Sequence, residues 1–192
     1  QELGWLDRFR IVAAVLVVAN HTSPLDSFFL SGDFWLTRVL ARVAVPFFFM
    51  VSGYFLAAKG WRSIGTVLKK ACLVYGLAVV LYLPLNLYSG SLTPLGWLKE
   101  LFTDGTLYHL WYFPALILGV LLAWALSRLG MGFALSIAAV LYFIGLGGDS
   151  YYGLAVQLPA LEAFYSGLFS LFDYTRNGLF FAPLFLLLGA AG

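Results

Sequence analysis

The sequence predicts an all-α bundle of membrane-spanning helices. Of its 192 residues, 62% are hydrophobic and only 10% are charged, whereas a soluble domain averages about 25% charged residues. The mean hydropathy is +0.92, and long apolar stretches recur from one end of the chain to the other. Such stretches match a bilayer, whose hydrocarbon core needs roughly 20 apolar residues in a helix. We therefore expect residues 1–192 to form a single polytopic membrane domain.

Six apolar stretches are each near the length that a bilayer requires. The first carries ionisable residues inside its apolar run, which is not typical of a removable signal peptide. A further stretch, 151–172, is interrupted by Pro159 and Glu162, which favours a re-entrant or interfacial segment. The six predicted spans are Trp5–Thr22, Val39–Ala58, Ala71–Tyr88, Leu110–Leu126, Met131–Gly147 and Asn177–Ala191.

The charged residues predict the orientation of these spans. If the spans alternate in direction, most of the cations fall on one side and most of the acids on the other. The positive-inside rule then places the N-terminus in the cytoplasm of a cell membrane. The cations of the first side are Arg8, Arg10, Lys59, Arg62, Lys69, Lys70 and Arg128; the acids of the second are Asp26, Asp33, Glu100, Asp104, Asp149, Glu162 and Asp173.

The first span combines membrane length with two well-separated polar side chains. Arg10 and His21 are eleven residues apart, which in an α-helix is about three turns, so both lie on one face roughly 16 Å apart along the axis. Ionisable groups at membrane depth normally face a bundle interior or a watery cavity. The pattern therefore predicts that this helix forms the wall of a site.

His21 and Arg10 are the strongest catalytic candidates. An imidazole exchanges a proton near neutral pH and can act as a general base or a transient acyl carrier. A guanidinium can hold a phosphate or carboxylate with two hydrogen bonds. The structural alternatives are a histidine hydrogen-bonded at the headgroup level and an interfacial arginine whose charge reaches water. Their alignment on one face favours the functional interpretation.

Four further residues are candidates for substrate binding. Arg42 lies one turn from Arg38 on the side where cations are disfavoured, so it pairs either with a ligand or with a nearby acid such as Asp33 or Asp26. The others are aromatic or polar residues close to span ends, where they either line a cavity or belong to the interface belt and helix caps. They are His109, Trp111 and Arg176.

The composition argues against two other kinds of function. The net charge of +2 is small and scattered, which does not predict a nucleic-acid partner. A single cysteine, Cys72, and two histidines do not predict a metal centre.

The motifs resemble those of the acyltransferase-3 family of integral membrane acyltransferases. The resemblance rests on Arg10 followed by ten residues and His21, on the second-span motif VPFFFMVSGY after Arg42, and on HLWYF from His109. Within the family, the segments FRIVAAVLVVANHT, RVAVPFFFMVSGYFL and TRNGLFFAPLFLLLG look most like the membrane half of vancomycin-resistance serine/alanine racemases.

The resemblance implies a bundle of about ten helices, of which this chain would be the N-terminal six. It also implies transfer of an acyl group, often acetyl, from cytoplasmic acyl-coenzyme A to a hydroxyl of a cell-envelope glycan or similar acceptor. His21 matches the essential histidine of the family, Arg10 matches the arginine that engages the acyl donor, and Arg42 matches a further arginine. If the racemase subgroup holds, the alternative is a membrane domain that takes up or channels an amino acid for a fused or partner soluble domain.

Overall fold

The structure is a computed structural model that describes residues 4–89, 94–106 and 108–192, without the side chains at positions 89, 94, 95, 108 and 109. Within those residues every regular element is helical, which confirms the predicted all-α class. The α-helices are α1 (Gly4–Thr22), α2 (Leu30–Phe34), α3 (Ala44–Ala58), α4 (Ile64–Ser89), α5 (Pro94–Phe102), α6 (Tyr112–Ser127), α7 (Met131–Gly148), α8 (Tyr152–Ala155), α9 (Pro159–Leu171) and α10 (Ala182–Ala191).

The helices confirm a membrane bundle. Three of the described helical stretches, Leu30–Ala58, Ile64–Tyr88 and Met131–Gly148, are long and apolar enough to cross a bilayer. Two shorter ones, α6 and α10, are also apolar. Together with α1, whose 19 residues carry three charges in the first half, these helices correspond one to one to the six predicted spans.

The second span starts earlier than predicted because its N-terminal part is helical but irregular. A π-helix, Trp35–Leu40, and a 3-10 turn, Ala41–Val43, join α2 to α3 without a break. Both irregular segments precede Pro46, whose ring removes the N–H that would bond the carbonyl of Arg42 and crowds that carbonyl. The change of helix type thus lies just before this proline.

A buried carboxylate fixes the loop before this span. Asp33 is 6% exposed, and its Oδ1 accepts the backbone N–H of Leu25 at 3.0 Å. The Thr37 hydroxyl donates to the Asp33 carbonyl at 2.8 Å. The chain is therefore helical from Leu30 onward, before the predicted start of the second span at Val39.

Two other predicted boundaries are wrong. The third span begins at Ile64, so Lys69 and Lys70 belong to the first turns of α4 and not to the preceding loop. The last helix begins at Ala182, because the Asn177 side chain organises a turn before it. Asn177 Oδ1 accepts the N–H groups of Leu179 and Phe180 at 3.0 and 3.1 Å.

Helices α3 and α10 form the tightest contact of the bundle. A Cβ at Gly53 would collide with the carbonyl oxygen of Leu186, and one at Gly189 would collide with that of Met50. Small residues let membrane helices approach closely, which matters because lipid provides no hydrophobic drive for their association. Large side chains such as Phe49 and Leu187 then fill the core beside this crossing.

The interrupted stretch 151–172 folds into α8 and α9. The break falls at Leu158, which is extended, with Pro159 as the first residue of α9. The 13 residues of α9 span about 20 Å, less than the roughly 30 Å of a bilayer core. Tyr165 fastens α9 to the end of α7, since its hydroxyl donates to the Ile144 carbonyl at 2.9 Å. These features favour the interfacial alternative.

Candidate functional site

Five segments of the chain meet around a cavity of about 470 Å³. They are the end of α1, the irregular helix before α3, the start of α6, the end of α7 and the segment from Thr175 into α10. We call this side of the bundle the cavity end and the opposite side, with the α3–α4 loop, the basic end. The polar side chains that line the cavity are Asn20, His21, Arg38, Arg42, Trp111, Tyr142, Asp149, Ser150, Thr175 and Arg176.

Four of the six predicted site residues line this one cavity. His21, Arg42, Trp111 and Arg176 come from four different segments, far apart in sequence, and the fold brings them together. The backbone of His109 lies in a 3-10 turn, Tyr108–Trp111, but its side chain is outside the described residues. The prediction for His109 therefore remains open.

Arg10 lies at the basic end and not in the cavity. It is on the same side of the unbroken helix α1 as His21, about 16 Å below it at 1.5 Å per residue. Its Nη1 donates to Asp7 Oδ1 at 2.7 Å, and its guanidinium lies 5.1 Å from the ring centroid of Phe55 in α3. The role predicted for Arg10 thus requires a substrate that reaches along α1 between the two ends.

Arg38 and Arg42 enter the cavity from the irregular helix. Arg38 belongs to the π-helical segment and Arg42 to the 3-10 turn, and π-helical turns are frequent at functional sites. In the described part of the chain neither guanidinium forms an ion pair. Asp33, which could have paired with Arg42, instead holds the N–H of Leu25. Of the alternatives for Arg42, the internal pair with Asp33 is therefore wrong.

Arg176 is held between an aromatic ring and a carboxylate. Its guanidinium lies 5.6 Å from the ring centroid of Trp111, within cation–π range. Its Nη2 is 3.8 Å from Asp149 Oδ1, which is an ion pair but too long for a hydrogen bond. Asp149 also accepts a long hydrogen bond, 3.4 Å, from the Ser150 hydroxyl.

The segment that carries Arg176 is anchored by two buried side chains. Asp104 is 4% exposed, and its Oδ2 accepts the backbone N–H of Asp173 at 3.0 Å and the Thr103 hydroxyl at 2.6 Å. Thr175 is 1% exposed, and its hydroxyl donates to the Gly145 carbonyl at 2.7 Å. These contacts hold the chain at Asp173 and at Thr175, directly before Arg176, and so set the position of Arg176.

Three acids and one lysine give this anchor a charge imbalance. Lys99 Nζ binds Asp173 Oδ1 at 2.7 Å on the surface of the anchor. Glu100 has no such partner in the described residues. Its partial burial, together with the nearby carboxylates of Asp173 and Asp104, raises the pKa of Glu100 above its usual value.

Several cavity residues could not be selected from the sequence. Asp149, Ser150 and Tyr142 belong to α7 and its end, and Thr175 precedes the last helix. One signal was available, namely the glycines that precede Asp149. A Cβ at Gly148 would lie 2.5 Å from Thr175 Cγ2, and one at Gly145 would lie 3.0 Å from Phe180 Cβ, so these two positions are small because the 175–181 segment packs on them.

The arrangement combines a proton acceptor with anion-binding groups. The imidazole of His21 shares one cavity with three guanidinium groups and with the hydroxyls of Ser150 and Thr175. Within the described residues, His, Cys, Asp and Glu side chains form no group of three that could hold a metal ion. The chemistry that these side chains support is proton transfer beside a bound anionic or hydroxyl-bearing substrate.

Comparison with known proteins identifies a family. The model of a family described as an acyltransferase domain, the acyltransferase-3 family, matches residues 3–191. Nearly the whole chain is therefore covered, and the resemblance seen in the motifs is confirmed. No solved structure matches the chain.

Curated relatives carry racemase names. An amino-acid racemase of Enterococcus faecalis is 50% identical over 193 residues, which cover 96% of this chain and 27% of the relative. A serine/alanine racemase of Enterococcus gallinarum is 47% identical over 197 residues, which cover 96% of this chain and 28% of the relative. The chain thus spans under a third of the length of these relatives, and the similarity to the racemase subgroup is confirmed.

Proposed function

This chain belongs to the acyltransferase-3 family of membrane domains, and on that premise we propose that it transfers an acyl group from cytoplasmic acyl-coenzyme A to a hydroxyl of an extracytoplasmic acceptor. Acetyl is the acyl group to test first, and a cell-envelope glycan is the acceptor class. The observation that carries the proposal is the position of His21 in a cavity at one end of a helix whose other end presents Arg10 on the same side.

The distribution of charge supports the orientation. The basic end gathers Arg8, Arg10 and the lysines and arginine around the α3–α4 loop, while the cavity end carries most of the acids. The positive-inside rule then directs the basic end to the cytoplasm and the cavity to the outside. Acyl-coenzyme A would approach Arg10, and the acceptor would enter the cavity from the opposite side.

In this mechanism His21 is the general base. One imidazole nitrogen removes the proton of the acceptor hydroxyl while the hydroxyl oxygen attacks the thioester carbonyl. A C–O bond forms, the C–S bond breaks, and the leaving thiolate takes the proton from the imidazolium. Alternatively the imidazole itself attacks the thioester and passes the acyl group on, in which case His21 is an acyl relay.

Arg10 and the cavity residues have binding roles in this scheme. Arg10 would hold a phosphate of the donor, with Asp7 as its resting partner. Arg42, Trp111 and Arg176 would hold the acceptor, and His109 would assist them. The greater length of the racemase relatives is in line with a fused soluble domain in the complete protein.

Transfer of labelled acetyl from acetyl-coenzyme A to envelope material, by membranes that contain the complete protein, tests the proposal. His21→Ala should reduce the rate about 10²- to 10⁴-fold, the usual contribution of a general base. His21→Gln, which keeps polarity and approximate size, should be equally slow. Transfer at the wild-type rate in both variants would remove His21 from the mechanism, and no labelled product from the wild type would remove the proposed reaction.

A further inference from the structure

The cavity has a positive charge at an end of the molecule that is otherwise acidic. Four cations lie at the cavity end, and Lys99 is the one that pairs closely with an acid, Asp173. The other three, Arg38, Arg42 and Arg176, all line the cavity. With Asp149 as the carboxylate of the lining, three guanidinium groups against one carboxylate leave a formal charge of +2 when His21 is neutral.

The positive-inside rule does not account for these three arginines. It explains cations on the cytoplasmic side, and the basic end already contains seven of the 11 lysines and arginines of the chain. An arginine placed near the opposite face against this trend needs a local reason. Groups of this kind near membrane depth commonly mark substrate sites.

The hydrogen-bond donors of the three arginines are free of protein acceptors in the described part of the chain. Neither Arg38 nor Arg42 donates a hydrogen bond there, and Arg176 approaches Asp149 only to 3.8 Å. Each guanidinium has five N–H donors in a planar fork. A ligand that reaches the cavity therefore meets guanidinium donors without a protein acceptor on two walls, the irregular helix and the 175–181 segment.

The fork geometry indicates the chemistry of the ligand. Two parallel N–H groups of a guanidinium match two oxygens of a carboxylate or phosphate. Because the Asp149–Arg176 contact is longer than a hydrogen bond, an incoming oxyanion can become the nearer partner of Arg176 while Trp111 keeps the guanidinium in place. Neutral glycans offer no group that would use this donor set as fully.

Given the proposed function, on which the next step rests, the phosphates of the acyl donor belong to the other end. Arg10 lies about 16 Å from His21 along α1, so a donor that delivers its thioester to His21 from the cytoplasm keeps its phosphates away from Arg38 and Arg42. We infer that the hydroxyl acceptor carries an oxyanion, a carboxylate or a phosphate, which Arg38, Arg42 and Arg176 hold so that its hydroxyl faces His21.

Binding to the full-length protein in phosphatidylcholine nanodiscs tests this inference without requiring turnover. The probes are glucuronate, glucose 6-phosphate and glucose, which present a carboxylate, a phosphate and no charge on the same type of ring. At least one charged sugar should bind ten times or more tightly than glucose, because hydrogen bonds to charged groups are the strong ones. The preferred probe tells whether the acceptor anion is a carboxylate or a phosphate.

Three variants show whether the cavity is responsible. Arg38→Gln and Arg42→Gln should each weaken the charged probe at least tenfold and leave glucose unchanged. Arg42→Lys, which keeps the charge and loses the fork, should fall between wild type and Arg42→Gln. Arg128→Gln is the matched control, since Arg128 lies at the basic end against Trp124, 4.6 Å from its ring centroid, and it should bind like wild type.

The contradicting results are distinct from those that would contradict acyl transfer. Equal affinity for all three sugars, or charged-probe binding that survives both glutamine variants, would overturn the inference. Displacement of the charged probe by coenzyme A would also overturn it, because the cavity would then belong to the donor. Acetyl transfer, measured separately, can persist in each of these cases; loss of transfer with intact, arginine-dependent anion binding would instead contradict the proposed function alone.

Discussion

The two ends of the bundle use arginine in different ways. At the basic end Arg10 has an acid, Asp7, one turn away at 2.7 Å and an aromatic ring beside it. At the cavity end Arg38 and Arg42 have no such partners in the described residues, although that end is rich in acids. Two of the acids there have other partners, as Asp33 accepts the Leu25 N–H and Asp173 binds Lys99.

This difference distinguishes a cation that follows the positive-inside rule from cations that line the cavity. A cation that follows the positive-inside rule needs only water or a nearby acid to be satisfied. Arg38 and Arg42 do not follow this rule, and the ligand proposed above would supply the acceptors that the described residues do not. Arginine is therefore found in two different settings within one chain. Helix α1 connects the two, since Arg10 at the basic end and His21 in the cavity lie about 16 Å apart along it.

The largest effect is expected at the crossing of α3 and α10. Gly53→Leu would drive a side chain into the Leu186 carbonyl of α10, and overpacking typically costs about 1–3 kcal/mol and occasionally more. Gly76→Leu is the matched control, because a Cβ there meets no atom within 4 Å. We expect Gly53→Leu to lower Tm and the yield of monodisperse protein far more than Gly76→Leu, and equal losses would contradict the close α3–α10 packing.

Paired substitutions at the two ends test the comparison directly. Arg10→Gln should raise KM for the acyl donor and leave KM for the acceptor nearly unchanged, while Arg42→Gln should do the opposite. Each increase should be roughly 10- to 100-fold, since a hydrogen bond to a charged group contributes about 1.5–3 kcal/mol. Steady-state kinetics with each substrate varied in turn gives both constants.

The assignment of the basic end to the donor and of the cavity end to the acceptor is contradicted if both variants raise the same KM. In that case Arg10 and Arg42 act on one substrate, and the separation into a donor side and an acceptor side is wrong. Unchanged constants in Arg10→Gln alone would return Arg10 to a purely topological role.

Which features could be predicted from the sequence depends on whether they arise within one helix or between distant segments. Apolar length predicted the positions of the helices, because a helix that crosses lipid must satisfy its backbone internally and span the hydrocarbon core. Three of the described helical stretches reach that length. Helical periodicity placed Arg10 and His21 on one side of α1. Both predictions rest on local rules that act within a single helix.

The remainder depended on contacts between distant segments. Asp149 and Thr175 look like ordinary loop residues in the sequence, and only the packing of the 175–181 segment on Gly145 and Gly148 brings them to the cavity. The helical start of the second span was missed for a similar reason. It depends on the burial of Asp33 and its bond to Leu25, which hydropathy does not reveal.

A smaller effect is expected from the anchor of the Arg176 segment. The two carboxylate oxygens of Asp104 accept the N–H groups of Asp173 and Tyr174 at 3.0 and 3.4 Å. Asp104→Asn keeps one of these oxygens and so loses one of the two acceptors. Arg176 should then be less well positioned, so that KM for the acceptor rises several-fold while KM for the donor stays constant. Lys99→Gln, which removes a partly exposed ion pair worth at most about 1 kcal/mol, should change the acceptor KM less.

A uniform loss of activity with a lowered Tm and no split between the two KM values would contradict a positioning role for Asp104. The carboxylate would then support folding in general. Measuring Tm for Asp104→Asn and Lys99→Gln beside the kinetics separates these outcomes.

The smallest effect concerns pH and the acids of the cavity end. Burial and the carboxylates of Asp173 and Asp104 raise the pKa of Glu100, so the folded state favours its protonated form. The stability that this provides is complete below the usual pKa of a glutamate and is lost as pH rises through the raised value. Glu100→Gln should therefore raise Tm more at pH 7 than at pH 4. Asp26→Asn is the control, because Asp26 is an exposed acid of the same end. If the gain in Tm for Glu100→Gln is no larger at pH 7 than at pH 4, the acids around the anchor do not repel one another.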